Sequence, residues 1–302
     1  MKILLTGAFN YSESQIEYIK KMGHEVTFVQ DERIKLPIDV SSFDAVICNG
    51  LFLKNEIAEF TSLKYIQLLS AGLDRVPLDY INTHNISLFN ARGVYSIPIA
   101  EFTLRGILDL YKNSAFFIEN QKKKGWNKYR SINELYGKNA LIVGAGSIGS
   151  EIAKRLCAFG VKVRGVDICP SSADGFEAVL PLSELKAELN NADIVILSLP
   201  LTDESRGMFN TSLFNEMKKS PVFVNIARGA LVNESALINA LEGGQLSGAV
   251  LDVFEEEPLS KASPLWDMEN VIATPHNSFI GEGNNKRMFD LIIENLERFA
   301  NE

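Results

Sequence analysis

Short β-branched runs alternate with amphipathic stretches along this chain. Near-continuous apolar segments at residues 2–6, 25–29, 44–48, 65–69 and 86–89 predict five strands. Strands covered on both faces lose the polar alternation of a half-exposed sheet, so such runs point to buried parallel strands. Between the first two, Ser12 followed by Gln15 has the spacing of a capping box and predicts a helix that stops at Gly23. A long helical pattern runs from Ile97 to about Lys123. A second series of strands is predicted at 140–143, 161–167, 194–199, 222–225, 249–252 and 271–274. The last segment, from Asn284 to Phe299, puts Met288, Leu291, Ile292, Leu296 and Phe299 on one helical face. This alternation predicts an α/β protein with parallel sheets.

The length, 302 residues, is enough for two domains. Hydrophobic residues at 46% and charged residues at 23% exclude a disordered tail, a collagen-like fibre and a disulfide scaffold. The net charge of −8 argues against nucleic acid and anionic membranes as partners. The basic run at residues 122–124 reads as a solvated surface. No apolar stretch reaches the length of a membrane-spanning helix, and the opening MKILLTGAF is too short for a signal-peptide core. Cys48, Cys157 and Cys169 are odd in number and lack a Cys-x-x-Cys pair, and His24, His84 and His276 are the only histidines. Neither disulfides nor a metal site is expected, and the chain reads as a reduced, cytoplasmic protein.

The first unit has no glycine-rich phosphate loop, since Gly7 is followed by Ala8, Phe9 and Asn10. The second does. A predicted strand ends in Gly144, Gly146 and Gly149, in G-x-G-x-x-G spacing, and a helix with Ile148, Ile152, Leu156 and Phe159 on one face follows. Gly144 permits the tight turn, Gly146 lets a pyrophosphate approach the backbone, and Gly149 lets helix and strand pack closely. The next strand ends in Asp167, near the spacing at which a carboxylate receives the adenosine ribose hydroxyls. A full strand–turn–helix–strand–Asp context predicts dinucleotide binding; the alternatives are a merely glycine-rich turn or an S-adenosylmethionine site. No Arg or Lys lies between Ile168 and Asp174 to receive a 2′-phosphate, which favours NAD over NADP. The motif begins far from the N-terminus. The cofactor domain is therefore expected at 97–281, inserted in a discontinuous domain made of 1–96 and 282–302.

Three further segments follow predicted strands and can bring their polar residues to one sheet edge: Arg228 in VFVNIARGALVNESAL, Asp252 with Glu257 in GAVLDVFEEEPL, and His276 in NVIATPHNS. Singly, each has an ordinary reading: a surface arginine, a solvated acidic loop, a structural histidine. Together they supply what hydride transfer to a 2-oxo acid requires. Arginine fixes a carboxylate by two points, histidine donates a proton near neutrality, and a carboxylate orients the histidine.

These segments, with LSLPLTDESRGMF, LLSAGLDRV and FNARGVYSIPIAEF, resemble the D-isomer-specific 2-hydroxyacid dehydrogenase family over nearly the whole chain. The resemblance implies a Rossmann NAD-binding domain inserted in a flavodoxin-like substrate domain, both doubly wound parallel sheets, an active site in the cleft between them, and a homodimer formed through the NAD domain. It implies that Arg228 binds substrate and polarises the carbonyl, that His276 is the general acid/base, and that Glu257 pairs with it. Asp252 would lie near the nicotinamide carboxamide. Ser70, Ala71 and Gly72 would hold the substrate carboxylate on their N–H groups, with Asn90 close by. Beside the cofactor it places Gly144, Gly146, Ser147, Ile148, Gly149, Asp167, Leu199, Pro200, Ile226 and Ala227, together with Arg228, Asp252 and His276. Leu51, Phe52 and Leu53 are expected to cover the far end of the substrate; Arg92 either sets a second positive charge near the substrate side chain, for a phosphate or second carboxylate, or is a surface or dimer-contact arginine; and Trp266 either reaches across a dimer or packs on the sheet, the reading favoured. The rival readings are a formate or phosphonate dehydrogenase of the same superfamily, a non-catalytic NAD-sensing protein of the corepressor type, and a methyltransferase.

Overall fold

Two parallel sheets organise the computed structural model, which describes residues 1–301. The chain divides into two compact units, Met1–Tyr95 with Gly281–Glu302, and Ser96–Ile280.

In the first unit the order along the chain is β1 (Lys2–Thr6), α1 (Glu13–Lys21), β2 (Glu25–Val29), β3 (Ala45–Cys48), β4 (Tyr65–Leu68), α2 (Leu78–Thr83) and β5 (Ser87–Phe89). The strands pair in the order β2-β1-β3-β4-β5, all parallel. Residue parity decides which face each side chain covers. Leu4, Val46, Ile66 and Leu68 point into one apolar cluster, whereas Ile3, Leu5, Ala45, Ile47 and Tyr65 point into another. That second cluster takes Ile19 from α1. It is completed by the last helix of the chain, α9 (Asn284–Asn301), through Met288, Ile292 and Leu296. Ser12 starts α1 as the spacing predicts: its hydroxyl accepts the Gln15 N–H at 3.2 Å, and the Gln15 side chain accepts the Ser12 N–H at 2.9 Å.

The second unit runs α3 (Ser96–Tyr111), α4 (Ser114–Lys122), β6 (Asn139–Val143), α5 (Ser147–Ala158), β7 (Lys162–Asp167), β8 (Ala178–Pro181), α6 (Leu185–Leu189), β9 (Ile194–Leu197), α7 (Thr211–Phe214), β10 (Val222–Asn225), α8 (Glu234–Glu242), β11 (Gly248–Leu251) and β12 (Val271–Ala273). Its sheet has the order β12-β11-β10-β9-β6-β7-β8, again all parallel. The strand order reverses between β6 and β9, the switch point at which doubly wound sheets bind ligands. The expected α/β class with two parallel sheets is what the chain forms.

Two local expectations need correction. The helix from Ile97 to Lys123 is two helices, because Asn113 adopts the left-handed conformation with φ 51° and breaks the ladder. Asparagine tolerates that conformation better than most residues, and no Gly or Pro marks the break. The strand β8 was not expected. It is short, lies at the sheet edge and ends in Pro181, which an edge strand accommodates because no partner needs its N–H.

All three cysteines are free. Cys48 is buried at the end of β3, and burial first, then the Glu32 carboxylate, push its thiol well above the usual range. Burial, then Glu177, also raises the Cys157 thiol, which donates to the Gly175 carbonyl at 3.0 Å. Titration with Ellman's reagent at mildly alkaline pH should therefore modify Cys169 first and Cys157 more slowly. Cys48 should react only after unfolding in guanidinium; fast reaction of all three thiols in the native protein would refute this placement.

Candidate active site

The glycine-rich turn joins β6 to α5. Gly144 has φ 102°, and a Cβ there would lie 2.7 Å from the Leu199 backbone nitrogen. A Cβ at Gly149 would collide with the Gly144 carbonyl oxygen and lie 3.2 Å from Ile142 and from the Ser198 hydroxyl, so helix and strand meet backbone to backbone. Gly146 differs: a Cβ there would meet no protein atom within 4 Å. Space is open over this residue, on the side where a phosphate would approach. Gly146 caps α5 without a side chain, and the first turn carries no acidic residue. The N–H groups of Ser147, Ile148 and Gly149 therefore have no intrahelical acceptor and stand at the positive end of the helix dipole, as an anion site requires.

Asp167 closes this turn. Its Oδ2 accepts the Ala145 N–H at 2.8 Å and its Oδ1 the Cys169 N–H at 3.0 Å. Each oxygen keeps a lone pair for a further donor such as a ribose hydroxyl. The residues present fit a dinucleotide. Of the other residues expected beside it, Pro200 is exposed, whereas Leu199, Ile226 and Ala227 are buried at the ends of β9 and β10.

The strands β10, β11 and β12 are neighbours, so their carboxyl ends bring Arg228, Asp252 and His276 to one edge. Asn225, which sequence reasoning missed, holds the Arg228 loop: its Oδ1 accepts the Ala227 N–H at 3.1 Å and its Nδ2 donates to the Arg228 carbonyl at 3.0 Å. Gly229 was missed as well. A Cβ there would collide with the Phe254 backbone, so only glycine lets the loops after β10 and β11 touch. His276 donates from Nδ1 to Glu257 Oε2 at 2.9 Å, and Glu257 Oε1 accepts the Phe254 N–H at 3.1 Å. Of the three consecutive glutamates, Glu257 is the one on the histidine; Glu255 lies instead against the Glu234 N–H. With Nδ1 tied to a carboxylate, the ring turns Nε2 outward as its working nitrogen. The side chains of His276 and Glu257 are 36% and 38% exposed, which leaves both open to a ligand.

Asp252 is held by internal donors. It is fully buried, and its Oδ1 accepts the Thr274 hydroxyl at 2.7 Å and the Asn277 N–H at 2.8 Å, while Oδ2 accepts the Ser278 N–H at 2.9 Å. Its backbone carbonyl accepts the His276 N–H at 2.8 Å. In this geometry Asp252 holds the loop that carries His276, whose φ of 50° lies in the left-handed region.

In the five-stranded unit, Ser70, Ala71 and Gly72 follow β4. Their carbonyls are engaged: Ala91 donates to Ser70 at 2.9 Å, Asn90 Nδ2 to Ala71 at 2.8 Å, and the Ser70 hydroxyl to Gly72 at 3.0 Å. The N–H groups of this turn have no partner among the described residues, as a carboxylate cradle requires. Glu32 was also missed. Buried between the ends of β1 and β3, it accepts the Thr6 hydroxyl at 2.6 Å and the N–H groups of Asn49 and Gly50. It thereby fixes the start of the loop at residues 51–53. Leu51 does not face a substrate from this loop: it is fully buried in the core, and Phe52 packs on Phe60, leaving Leu53 exposed. Trp266 is half exposed, and its indole N–H donates to the Ser260 carbonyl at 2.9 Å. Arg92 is exposed.

A family model described as D-isomer specific 2-hydroxyacid dehydrogenase, NAD binding domain, matches residues 104–278. The chain is 35% identical over 263 residues to D-3-phosphoglycerate dehydrogenase of Bacillus subtilis, covering 86% of this chain and 49% of that protein. It is 35% identical over 243 residues to glyoxylate reductase of Thermofilum pendens, covering 78% of this chain and 71% of the relative. A D-isomer specific 2-hydroxyacid dehydrogenase from Xanthobacter autotrophicus Py2, solved in complex with NADPH and MES, aligns with a TM-score of 0.81 at 27% identity, over 99% of this chain and 94% of that one. The chain thus spans about half the length of the phosphoglycerate dehydrogenases it matches, 49% of one and 57% of another.

The Asp252 network makes a stability prediction. Asp252→Asn places an amide N–H₂ against a donor that now meets a carboxylate oxygen, a loss of about 1–3 kcal/mol. Calorimetry should show the melting transition lowered by roughly 3–10 °C. An unchanged Tm would remove Asp252 from this role.

Proposed function

The chain belongs to the D-isomer-specific 2-hydroxyacid dehydrogenase family, and we propose that it interconverts small 2-oxo acids and D-2-hydroxy acids with NADH and NAD. The observation that carries this reading is the His276–Glu257 hydrogen bond at 2.9 Å, on the sheet edge that also bears Arg228. A bound nicotinamide dinucleotide supplies the hydride for C2 of the 2-oxo acid. The N–H groups of Ser147, Ile148 and Gly149 hold its pyrophosphate and Asp167 its ribose. Protonated His276 donates from Nε2 to the carbonyl oxygen, and Glu257 stabilises the imidazolium and keeps the ring in place. Arg228 neutralises charge that develops on that oxygen and fixes the substrate carboxylate. In the oxidative direction, neutral His276 takes the hydroxyl proton.

The finer points are part of the same proposal. Asp167 repels a 2′-phosphate, and residues 168–174 offer no cation to attract one, which favours NAD. Exposed Leu53 suits a small or apolar substrate group. A homodimer through the NAD domain would cover Trp126 and Tyr136, 96% and 80% exposed, together with Phe117 and Ile118. A cytoplasmic location accords with three free thiols.

A panel of glyoxylate, hydroxypyruvate, pyruvate and branched 2-oxo acids, assayed with NADH and with NADPH, tests the reaction. NADH oxidation with at least one acid is expected; tight NADH binding without turnover would support the corepressor-type reading instead. His276→Gln should lower kcat by about 10²–10⁴-fold and leave the NADH dissociation constant nearly unchanged, and a variant that keeps most of its turnover overturns that role. Asp167→Ser should weaken NADH binding and relax discrimination against NADPH, measured as the ratio of kcat/KM values. An unaltered ratio counts against Asp167 as the selector.

A further inference from the structure

In the five-stranded unit a cavity of about 310 Å³ opens beside the edge strand β5. Part of its wall is apolar, formed by Leu88 and Phe89 of β5, Leu291 of α9 and Leu73 of the loop after β4. Three polar side chains complete it: Arg92, Asn90 and Asn295. Asn295 is 9% exposed and fixed, its Nδ2 donating to Gln67 Oε1 at 2.8 Å. Arg92 is exposed, and no carboxylate pairs with its guanidinium among the described residues. Arg92 thus puts a positive charge at this cavity, in a chain whose net charge is −8. A guanidinium and amides beside an apolar wall select an oxyanion carried on an apolar body.

Asn90 connects this cavity to the turn at residues 70–72. It donates to the Ala71 carbonyl at 2.8 Å. The Ala71–Gly72 peptide is trans, so that carbonyl and the Gly72 N–H point in opposite directions. With the carbonyl turned to Asn90, the Gly72 N–H faces away from it. The Asn90 amide therefore lies on the carbonyl side of the turn, opposite the Gly72 N–H.

We propose that this cavity is a second anion site, which takes a small carboxylate or phosphate monoester with an apolar body and acts on the turn at residues 70–72 through Asn90. The consequence for turnover rests on the reading that this turn holds the substrate carboxylate; binding in the cavity does not.

The test uses the full chain saturated with NADH, with benzoate and phenyl phosphate as probes and inorganic phosphate as the head group alone. Calorimetry should show one or both probes binding, with inorganic phosphate about tenfold weaker or worse. Arg92→Ala should lower probe affinity by about tenfold or more, and Arg92→Lys by less; Arg92 is exposed, so neither change endangers the fold. The tighter of the two probes identifies carboxylate or phosphate as the natural head group. In ¹⁵N-resolved spectra the bound probe should shift the Gly72 amide, and in steady state it should change the KM for the 2-oxo acid in a mixed pattern. Probe affinity that is absent, or equal in wild type and Arg92→Ala, overturns the site. Purely competitive inhibition would make the cavity a part of the substrate site and overturn its separateness. Arg92-dependent binding with an unmoved Gly72 amide overturns the link through Asn90. Absence of turnover on every 2-oxo acid refutes the proposed reaction, while the binding and amide measurements still decide the cavity.

Discussion

The carboxylate of Asp252 holds together the part of the molecule on which the proposed chemistry depends. Two oxygens at the end of β11 gather three donors from the segment after β12 and leave none of the carboxylate exposed. A buried charge is costly unless its lone pairs are met, and here two of the three partners are backbone N–H groups that cannot swing away. That saturation keeps His276 at a positive φ, where its ring reaches Glu257. A freely moving loop would abandon so unfavourable a backbone conformation.

The same reliance on backbone recurs elsewhere in both units. Gly149 brings α5 against β6, and Gly229 brings the loop bearing Arg228 against the loop bearing Glu257. Neither approach leaves room for a methyl group. Asn225, Glu32 and Asn90 each use a side chain to fix the backbone of a loop at a strand's carboxyl end. Parallel pairing makes this economical. All strand ends of one sheet open at one edge, so short loops from neighbouring strands meet without long connections.

Charge acts locally in this protein. The average is acidic, yet the groups that would meet anions are the helix N-terminus at Gly146, Arg228 at the end of β10, and Arg92 beside β5. Long-range attraction of an anionic substrate by the molecule as a whole is thus weak, and recognition falls to short-range, oriented donors.

The sequence by itself determined the alternation of strands and helices, the capping box at Ser12, the glycine turn with its carboxylate at Asp167, and the strand-end positions of Arg228, Asp252 and His276. All of these are written in residues close together in the chain, where spacing and backbone preference act directly. The break at Asn113 escaped because periodicity does not register a single left-handed residue, and β8 because a short strand ending in proline resembles a loop. Only the tertiary structure decided which partners distant residues find. Strand order set Asp252 against the segment after β12 and buried Leu51 in the core. It also drew Glu32 out of a polar stretch onto the end of β3. Such pairings depend on which strand ends become neighbours, and that is fixed when the whole sheet packs rather than by any local pattern of residues.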